Sequence, residues 1–394
     1  MSDKGLVIDI ASKLIRIKSL SGEEKEIAYT IRDLLNDMGI DKAFIDEYGS
    51  VIGVIKGSID NTLVFEGHMD HVPEGDISQW INDPYEPVII DGKLYGRGSV
   101  DMKGAIASMI SSITKLREST DIPTIYYVFV PFEEISEGTV FKHTIEETLR
   151  IRPDLVILGE ATNLNLYIGQ RGRTVLKITL RGRSAHASMP SNAINPLFAM
   201  CTFIHRFGKI QFPVHNILGQ STFSPTIIEC EPKSTPMIPD TCRLIIDYRF
   251  IVGETKENIL DKIENILEEL SKNRSILGYS IEINKGTTTL WTGKVIVYED
   301  FYPAWIMDKN SFLIRRAYSI LREHITGAII DVWRFSTDGV YSAGIAGIPT
   351  IGIGPGDENL AHMPNEYVPV KHLLLAEKIY ADIAMNIFKQ SVNQ

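Results

Sequence analysis

The pattern of hydrophobic and polar residues divides the chain into short apolar runs and longer stretches with helical spacing. Short runs rich in apolar residues predict strands at 42–46, 51–56, 62–66, 126–130, 155–158, 329–333 and 349–354. Apolar residues three and four positions apart predict one helix that ends near Gly39 and further helices at 102–116, 141–149, 311–325 and 370–388. Because strands alternate with helices, we predict an α/β fold with a largely buried, partly parallel central sheet.

Two short motifs predict where elements begin and where the chain turns. Ser21 to Glu24 match a capping box, in which the serine caps a helix and the glutamate reaches back to it. Asp91-Gly92 between two short apolar runs is typical of a tight hairpin turn. We therefore expect the first amphipathic helix to begin at this box and a hairpin to lie at 88–95.

The middle of the chain follows a different order of elements. It reads strand 175–180, helix 193–207, strand 222–230, strand 242–250, helix 255–270 and strand 279–284. This is the order of a ferredoxin-like unit, whose first and last strands can lie side by side so that both chain ends leave together. We therefore predict a discontinuous α/β domain with a mixed central sheet, 1–173 and 286–394, and an inserted α+β domain, 174–285.

Composition narrows the class of partner. The 394 residues include 40 Lys and Arg against 50 Asp and Glu, a net charge of −10, which argues against nucleic acid and anionic membranes. The sequence has no secretory pattern and no apolar run of about 20 residues, so we expect a cytoplasmic protein that binds small molecules. The three cysteines lack metal-site spacing, and we expect buried thiols rather than a disulfide framework or a thiolate zinc site.

Acidic and histidine residues follow the predicted strands at the ends where open α/β sheets bind ligands. His68 and Asp70, two positions apart, share one side of the chain, as a metal ligand with its orienting carboxylate or as a hydrogen-bonded core pair. Glu133 and Glu134 end the most apolar strand, where buried charges need a partner or a metal ion. Adjacent residues of an extended chain point in opposite directions, so one acid can bind metal while the other moves a proton.

Three further segments offer ligands. Asp101 precedes a predicted helix, as a cap or as a carboxylate that bridges two ions; Glu160 ends another apolar strand; His362 lies in a loop that follows the glycine-rich stretch around Gly354. Each residue alone also has a purely structural explanation. Two histidines and several carboxylates without cysteine suit zinc, cobalt or manganese, and two such ions about 3.5–4 Å apart suit amide hydrolysis.

These five segments, in this order and with this inserted domain, resemble the metallopeptidase family of acetylornithine deacetylase, succinyl-diaminopimelate desuccinylase, aminoacylase and carboxypeptidase G. The resemblance covers nearly the whole chain. It implies two divalent metal ions per chain, zinc first and cobalt or manganese as alternatives, and a cis peptide bond after the bridging aspartate. The ligands that it implies are His68 and Glu160 on one ion, Glu134 and His362 on the other, and Asp101 between them.

The resemblance also implies roles in the reaction. Asp70 would orient His68, and Glu133 would be the general base that takes a proton from the bridging water and later delivers it to the leaving amine. The inserted domain would act as a lid and dimerisation domain of a homodimer. From it, His186 would reach the oxyanion, usually across the dimer, and Arg249 would receive a substrate carboxylate.

Four stretches, 169–173, 291–293, 333–340 and 352–366, resemble more closely the YgeY subgroup of this family, which is linked to selenium metabolism. Arg171 either binds an acidic group of the substrate or pairs with acidic side chains, and Gly354 is expected to line the substrate site. Pro236 stands where many relatives have Asn, and Asp338 where the subgroup often has Asn. The first difference leaves the role of Arg249 open.

Taken together, these features predict a two-metal amidohydrolase that cleaves an N-acyl amino acid, of the deacetylase or desuccinylase type. The alternatives are a dipeptidase or carboxypeptidase of the same family, or a metal-free protein that binds an amino-acid derivative. The sequence contains no GxGxxG after a first strand and no GxSxG, which argues against a nicotinamide dehydrogenase and a serine hydrolase.

Overall fold

The structure, a computed structural model, describes residues 5–117 and 119–389. The helices are α1 (Leu6–Ile15), α2 (Lys25–Asp37), α3 (Gly104–Leu116), α4 (Thr139–His143), α5 (Pro196–Phe207), α6 (Lys256–Lys272), α7 (Phe312–His324) and α8 (Val370–Asn386). The first strands are β1 (Lys42–Ile45), β2 (Val51–Ile55), β3 (Ile59–His68), β4 (Val88–Ile90), β5 (Lys93–Tyr95), β6 (Pro123–Val130), β7 (Leu155–Leu158), β8 (Leu166–Gln170), β9 (Gly172–Arg181), β10 (Ala185–His186), β11 (Val214–His215) and β12 (Gly219–Gln220). The remaining strands are β13 (Thr222–Glu231), β14 (Met237–Ile238), β15 (Thr241–Phe250), β16 (Gly278–Ile283), β17 (Lys285–Thr289), β18 (Val295–Glu299), β19 (Phe301–Tyr302), β20 (Trp305–Ile306), β21 (Ile330–Trp333), β22 (Thr350–Gly352) and β23 (Tyr367–Pro369).

The chain divides into two compact units. Unit 1 runs to Gln170 and also contains Thr287–Ile296 and the chain from Ile306 onwards. Unit 2 contains Arg171–Gly286 and Val297–Trp305. The sequence pattern assigned the segment 297–305 to the discontinuous α/β domain. In the structure this segment lies in unit 2, because β19 pairs with β9.

The sheet of unit 1 is mixed and has the order β1-β2-β6-β3-β7-β22-β8, with β20 and β21 also beside β8. Its four central strands, β6, β3, β7 and β22, are parallel, while β1, β2 and β8 pair antiparallel to their neighbours in this order. His68 at the end of β3 lies opposite Val130 at the end of β6. The carboxyl ends of the parallel strands therefore meet at one edge of the sheet, as the α/β prediction requires.

Helices cover the sheet of unit 1. Helix α3 is buried along almost its whole length and packs against α1 and α8. Helix α1, which the sequence pattern did not predict, buries Val7, Ile10 and Leu14. Within the described part of the chain, no helix is long and apolar enough to cross a membrane.

The predicted hairpin is present, but the predicted capping box is wrong. Asp91 and Gly92 both have positive φ angles between β4 and β5, as a tight hairpin turn requires. Helix α2 begins only at Lys25, with Glu24 as its N-cap residue and no side-chain cap. The Ser21 hydroxyl instead donates to Asp70, 49 residues away, so a tertiary contact has replaced the local one.

Unit 2 has the predicted ferredoxin-like topology. Its antiparallel sheet has the order β13-β15-β9-β16, so the first and last strands of the insertion are neighbours. Alternate residues of β9 and β15, such as Leu176, Ile178 and Leu244, pack in a core with α5 and α6. Strand β13 forms the other edge and is largely exposed.

The cysteine prediction is wrong for two reasons. Cys201 is exposed on α5 rather than buried. Cys230 and Cys242 lie directly opposite each other on β13 and β15 and form a disulfide. Strand pairing, which the sequence spacing does not report, brings these two residues together.

Candidate metal centre

The site lies in unit 1, where four parallel strands end. His68 is the last residue of β3, Glu133 and Glu134 follow β6, and Glu160 follows β7. His362 comes from the loop after β22. Each side chain thus reaches the carboxyl edge of the sheet, where the strand order of an open α/β sheet leaves room for a ligand.

Asp101 lies between two histidines. Its Oδ1 is 2.9 Å from Nε2 of His68, and its Oδ2 is 3.1 Å from Nε2 of His362. Each histidine has a second carboxylate: Glu160 Oε1 is 3.4 Å from His68 Nε2, and Glu134 Oε2 is 3.0 Å from His362 Nε2. The structure therefore gathers all five predicted ligands into two histidine and carboxylate groups that share Asp101.

The donor set fits two divalent cations. The ligand atoms of His68, Asp101 and Glu134 lie within 4.8 Å of one another, and so do those of His68, Glu133 and Glu160. Burying carboxylates together without a cation costs several kcal/mol for each ion. Imidazole nitrogen and carboxylate oxygen without thiolate are ligands that zinc, cobalt and manganese accept.

The pKa values show the cost of this crowding. Burial raises the pKa of Glu133 well above its ordinary value, and burial also raises that of Glu160. Burial and the neighbouring Asp101 raise the pKa of Glu134 to about 7. Although burial acts the other way, hydrogen bonds with His362 and His68 hold the pKa of Asp101 well below its usual range.

Both histidines hold a proton strongly when no metal is bound. Hydrogen bonds with Asp101 and Glu134 raise the pKa of His362 to about 10. The pKa of His68 is also raised, because Glu133 and the hydrogen bonds of its other acidic neighbours outweigh its burial. Since a metal ligand must be neutral imidazole, metal binding at this site has to release these protons.

The backbone carbonyl group of Asp70 orients His68. Nδ1 of His68 donates to the Asp70 carbonyl oxygen at 3.0 Å, which leaves Nε2 free to bind metal. The Asp70 carboxylate lies 3.7 Å from that nitrogen. It accepts hydrogen bonds from the backbone N–H groups of Glu133 and Glu134 and from the Ser21 hydroxyl instead. That the Asp70 side chain orients His68 therefore stays a prediction, beside the backbone contact that the structure shows.

Glu133 stands beside the ligands in a turn. Its Oε2 is 4.0 Å from Nε2 of His68, and the side chain is buried. The chain at 131–138 is a turn and not an extended strand, and Phe132 has a φ of +68°. The divergence of Glu133 and Glu134 therefore comes from a turn, which corrects the extended geometry expected from the sequence.

Sequence reasoning missed a buried acid behind Asp101. Glu366 Oε1 accepts from the backbone N–H groups of Val100 and Asp101, and its Oε2 accepts from that of Gly98. Arg97 Nη1 donates to the same carboxylate at 2.7 Å. In the sequence, Glu366 is marked only by its position four residues after His362. This spacing does not predict the groups that Glu366 contacts.

Sequence reasoning also missed the interaction of two buried acids near the ligands, Glu66 and Asp338. Burial raises the pKa of Glu66 well above its ordinary value, and the charge of the neighbouring Asp338 raises it further. Burial raises the pKa of Asp338 to about 6, although the N–H of Gly138 donates to its Oδ1. Asp338 thus connects the end of the 131–138 turn to strand β3.

Gly354 packs closely against the backbone at the end of β7, beside the centre. Its N–H donates to the Thr162 hydroxyl, and its carbonyl accepts from Leu164 N–H. A Cβ at this position would lie 2.1 Å from the Gly159 carbonyl oxygen and 2.2 Å from that of Glu160. The substrate role of Gly354 stays a prediction, and the structure shows close packing of this glycine against the backbone of Gly159 and Glu160.

The other predicted residues lie in unit 2. His186 is exposed on β10, and its Nδ1 accepts from the N–H and the hydroxyl of Ser188. Arg249 donates to both carboxylate oxygens of Asp247, at 2.7 and 3.1 Å. Arg171 donates to the carbonyl oxygen of Gln220. Each of these side chains therefore already has a partner within its own unit.

Comparison with known proteins supports the sequence resemblance. The sequence profile described as Peptidase family M20/M25/M40 matches residues 64–386. The uncharacterized protein YgeY of Escherichia coli strain K12 is 32% identical over 378 residues, which cover 95% of this chain and 92% of that protein. A succinyl-diaminopimelate desuccinylase of Wolbachia pipientis subsp. Culex pipiens is 25% identical over 399 residues, 97% of this chain and 93% of that protein.

The fold also matches a solved structure. Aminopeptidase PepT from Bacillus cereus ATCC 10987 superposes with a TM-score of 0.79 at 20% identity, covering 98% of this chain and 99% of that one. This likeness confirms the predicted fold class, an α/β domain with a mixed sheet and an inserted α+β domain. The similarity to YgeY and to the desuccinylase confirms the resemblance that the motifs indicated.

Proposed function

The chain belongs to peptidase family M20/M25/M40, and from that premise we propose that it is a two-metal amidohydrolase. Its substrate would be an N-acyl amino acid or a related small amino-acid derivative, cleaved at the amide bond. The observation that carries the proposal is the position of Asp101, whose two oxygens face different histidines at 2.9 and 3.1 Å. A carboxylate in this position can bridge two ions.

We propose the following assignment of ligands: His68 and Glu160 on one ion, His362 and Glu134 on the other, and Asp101 on both. Zinc is the proposed ion, with cobalt and manganese as alternatives, because all three accept imidazole and carboxylate ligands. Two such ions, when bound, polarise the scissile carbonyl and make water a stronger nucleophile at neutral pH.

Glu133 is the proposed general base. It lies beside the ligand set but is 4.0 Å from His68 Nε2, too far to hydrogen-bond that nitrogen. Its burial raises its pKa, which suits a group that takes a proton from the attacking water and returns it to the leaving amine. A base of this kind contributes about 10²- to 10⁴-fold to the rate.

His186 is the proposed donor to the oxyanion. Because Ser188 N–H donates to Nδ1, a neutral ring carries its hydrogen on Nε2. The exposed side chain can therefore donate from Nε2 to a negative oxygen. A donor of this type is worth about 10²- to 10³-fold in kcat.

We also propose a homodimer formed through unit 2. Strand β13 is an edge strand, and Ile227 and Ile228 on it are exposed. Phe198 on α5 is 74% exposed. An exposed apolar edge is a site where another chain can pair. Light scattering is expected to give the mass of a dimer, and a monomer mass at working concentration would remove this proposal.

Recognition of the substrate carboxylate by Arg249 remains a proposal with a specific constraint. Because the Asp247 carboxylate accepts from Nε and Nη2 of Arg249, the substrate would have to use the remaining N–H groups or displace the aspartate. Arg171, which donates to the carbonyl oxygen of Gln220, is a further candidate for an acidic substrate group.

The test is a panel of substrates with and without chelator. N-acetyl and N-succinyl amino acids are compared with unblocked dipeptides, and with peptides that offer a free C-terminal residue. We expect the N-acyl amino acids to be hydrolysed faster, and chelator to abolish the activity. Faster cleavage of dipeptides would favour the peptidase alternative. A protein that hydrolyses nothing after addition of zinc, cobalt or manganese would instead be a binding protein.

A further inference from the structure

Three consecutive backbone N–H groups in the turn after β6 donate to buried carboxylates. Phe132 N–H donates to Glu24 Oε1 at 3.1 Å. Glu133 N–H donates to Asp70 Oδ1 at 3.1 Å, and Glu134 N–H donates to Asp70 Oδ2 at 3.2 Å. Two side chains from other parts of unit 1 thus hold the backbone of the residues that carry the proposed base and one proposed ligand.

The first of these contacts acts on a strained residue. Phe132 has a φ of +68°, in the left-handed region that is strained for a residue with a Cβ atom. Such a conformation persists only where the surrounding structure holds it. The Phe132 ring is buried, and its amide is held by the Glu24 carboxylate, so both halves of the residue are fixed.

Glu24 is itself held on a rigid element. It is fully buried, and the same Oε1 also accepts from Gly22 N–H at 2.8 Å. It is the N-cap residue of α2, whose apolar face enters the core through Ile27 and Ile31. A carboxyl group buried at this position is costly unless its hydrogen bonds are used, and one of its two observed bonds goes to the turn.

We propose that Glu24 is a positioning residue for the reaction. By accepting from Phe132 N–H, it fixes the left-handed turn that sends the Glu133 and Glu134 side chains to different places in the centre. The inference rests on the proposed function for the roles of these two residues. It does not rest on it for the geometry of the turn, which can be measured separately.

Three variants and one matched control test this inference. E24A removes the acceptor, E24D withdraws it by one methylene group, and E24Q keeps an accepting oxygen of the same reach. The control is D46A, because Asp46 also accepts from two backbone N–H groups, those of Tyr48 and Ser50, in a loop that carries no proposed ligand. Its loss measures the general effect of removing a half-buried acid.

Three readouts separate positioning from stability. Hydrogen exchange of a peptide covering 131–138 reports the amide contact, titration of the stripped protein with zinc reports ligand geometry, and kcat and KM report the reaction. For E24A we expect faster exchange, zinc affinity at one of two sites lowered about 10- to 100-fold, and a similar loss in kcat with little change in KM. E24D is expected to lie between E24A and wild type, E24Q close to wild type, and D46A unchanged in all but melting temperature.

The outcomes distinguish the two proposals. If E24A exchanges, binds zinc and turns over like wild type, the positioning role is overturned while the proposed function stands. If E24A does not fold, E24D decides, and wild-type zinc affinity and exchange in E24D would overturn the role. If wild type hydrolyses no amide, the proposed function fails, but exchange and zinc titration still decide whether Glu24 holds the turn. A loss of kcat in D46A equal to that in E24A would also contradict positioning.

Discussion

Ionisable side chains are arranged in opposite ways in unit 1 and unit 2. In unit 1, two histidines and four carboxylates lie within about 4 Å of a neighbour at the end of the parallel sheet, and His68, Glu133 and Glu160 among them are buried. In unit 2, charges form exposed pairs on the sheet and helices, such as Lys177 with Glu282 at 3.1 Å. Both regions pair charges, but the group in unit 1 is built around buried side chains, whereas the side chains of Lys177 and Glu282 are 41% and 51% exposed.

This difference indicates which unit holds the side chains suited to catalysis. Exposed pairs contribute about 0–1 kcal/mol, so they are replaceable. Buried carboxylates cost several kcal/mol without a compensating charge, so a fold that keeps them is organised around cations. We therefore propose that the reaction takes place in unit 1 and that unit 2 contributes contacts to substrate and to a second subunit.

The largest expected effect follows removal of Asp101. D101A takes one oxygen from each of the two histidine groups, so we expect both metal ions to be lost together. Activity should fall by more than the roughly 100-fold that loss of an outer partner costs. Metal content by mass spectrometry measures this loss. A variant that retains two ions would show that Asp101 does not bridge them.

Removal of the proposed base should separate metal binding from turnover. E133Q preserves shape and leaves the proposed ligands intact, so metal content should stay at the wild-type value while kcat falls about 10²- to 10⁴-fold. Steady-state kinetics and metal analysis on the same sample check both halves. A rate near that of wild type would assign the proton transfer to another group.

The pH dependence of stability should differ between metal-free and metal-loaded protein. The pKa of His362 is raised to about 10 and that of Glu134 to about 7. In both cases the folded state binds more protons than the unfolded state. Protonated His362 therefore stabilises the folded state fully below about pH 6.5, and this stabilisation is lost as the pH rises through about 10. Protonated Glu134 stabilises the folded state fully below about pH 4.5, and this stabilisation is lost as the pH rises through about 7.

Thermal unfolding from pH 5 to 10 measures this difference. The Tm of the chelator-treated protein should fall as pH rises over this range, while bound metal should remove most of the decline because both groups are then deprotonated ligands. Parallel curves for the two forms would mean that these groups do not control the stability of the metal-free centre.

The smallest expected effect belongs to unit 2. K177A breaks the exposed pair with Glu282, and the free energy of unfolding should change by no more than about 0.5 kcal/mol. Chemical denaturation provides the value. A loss of several kcal/mol would show that surface pairs in unit 2 carry the stability that we assign to its apolar core.

The fold and the positions of the candidate ligands could be predicted because their signals are local. Apolar runs and helical spacing indicated the strands of unit 1, and the acids at 133, 134 and 160 stand directly after such runs. The parallel sheet then brings these ends to one edge. The order of elements in 174–285 likewise specified that the first and last strands of the insertion would pair.

The remaining features depend on contacts between distant residues. Ser21 and Glu24 have the local pattern of a capping box, yet their partners are Asp70 and Phe132. The Cys230–Cys242 disulfide depends on strand register. Glu366 and Asp338 support the centre from loops far along the chain, and no spacing rule connects them with the residues that they hold.

The most direct test of the central claim is the metal stoichiometry of the wild-type protein. The protein is stripped with chelator, titrated calorimetrically with zinc at neutral pH, and then analysed by mass spectrometry after removal of free ions. The account predicts about two ions per chain, the number that a two-metal site requires, with release of protons on binding. A wild-type protein that takes up no zinc, or only one ion per chain, would contradict it.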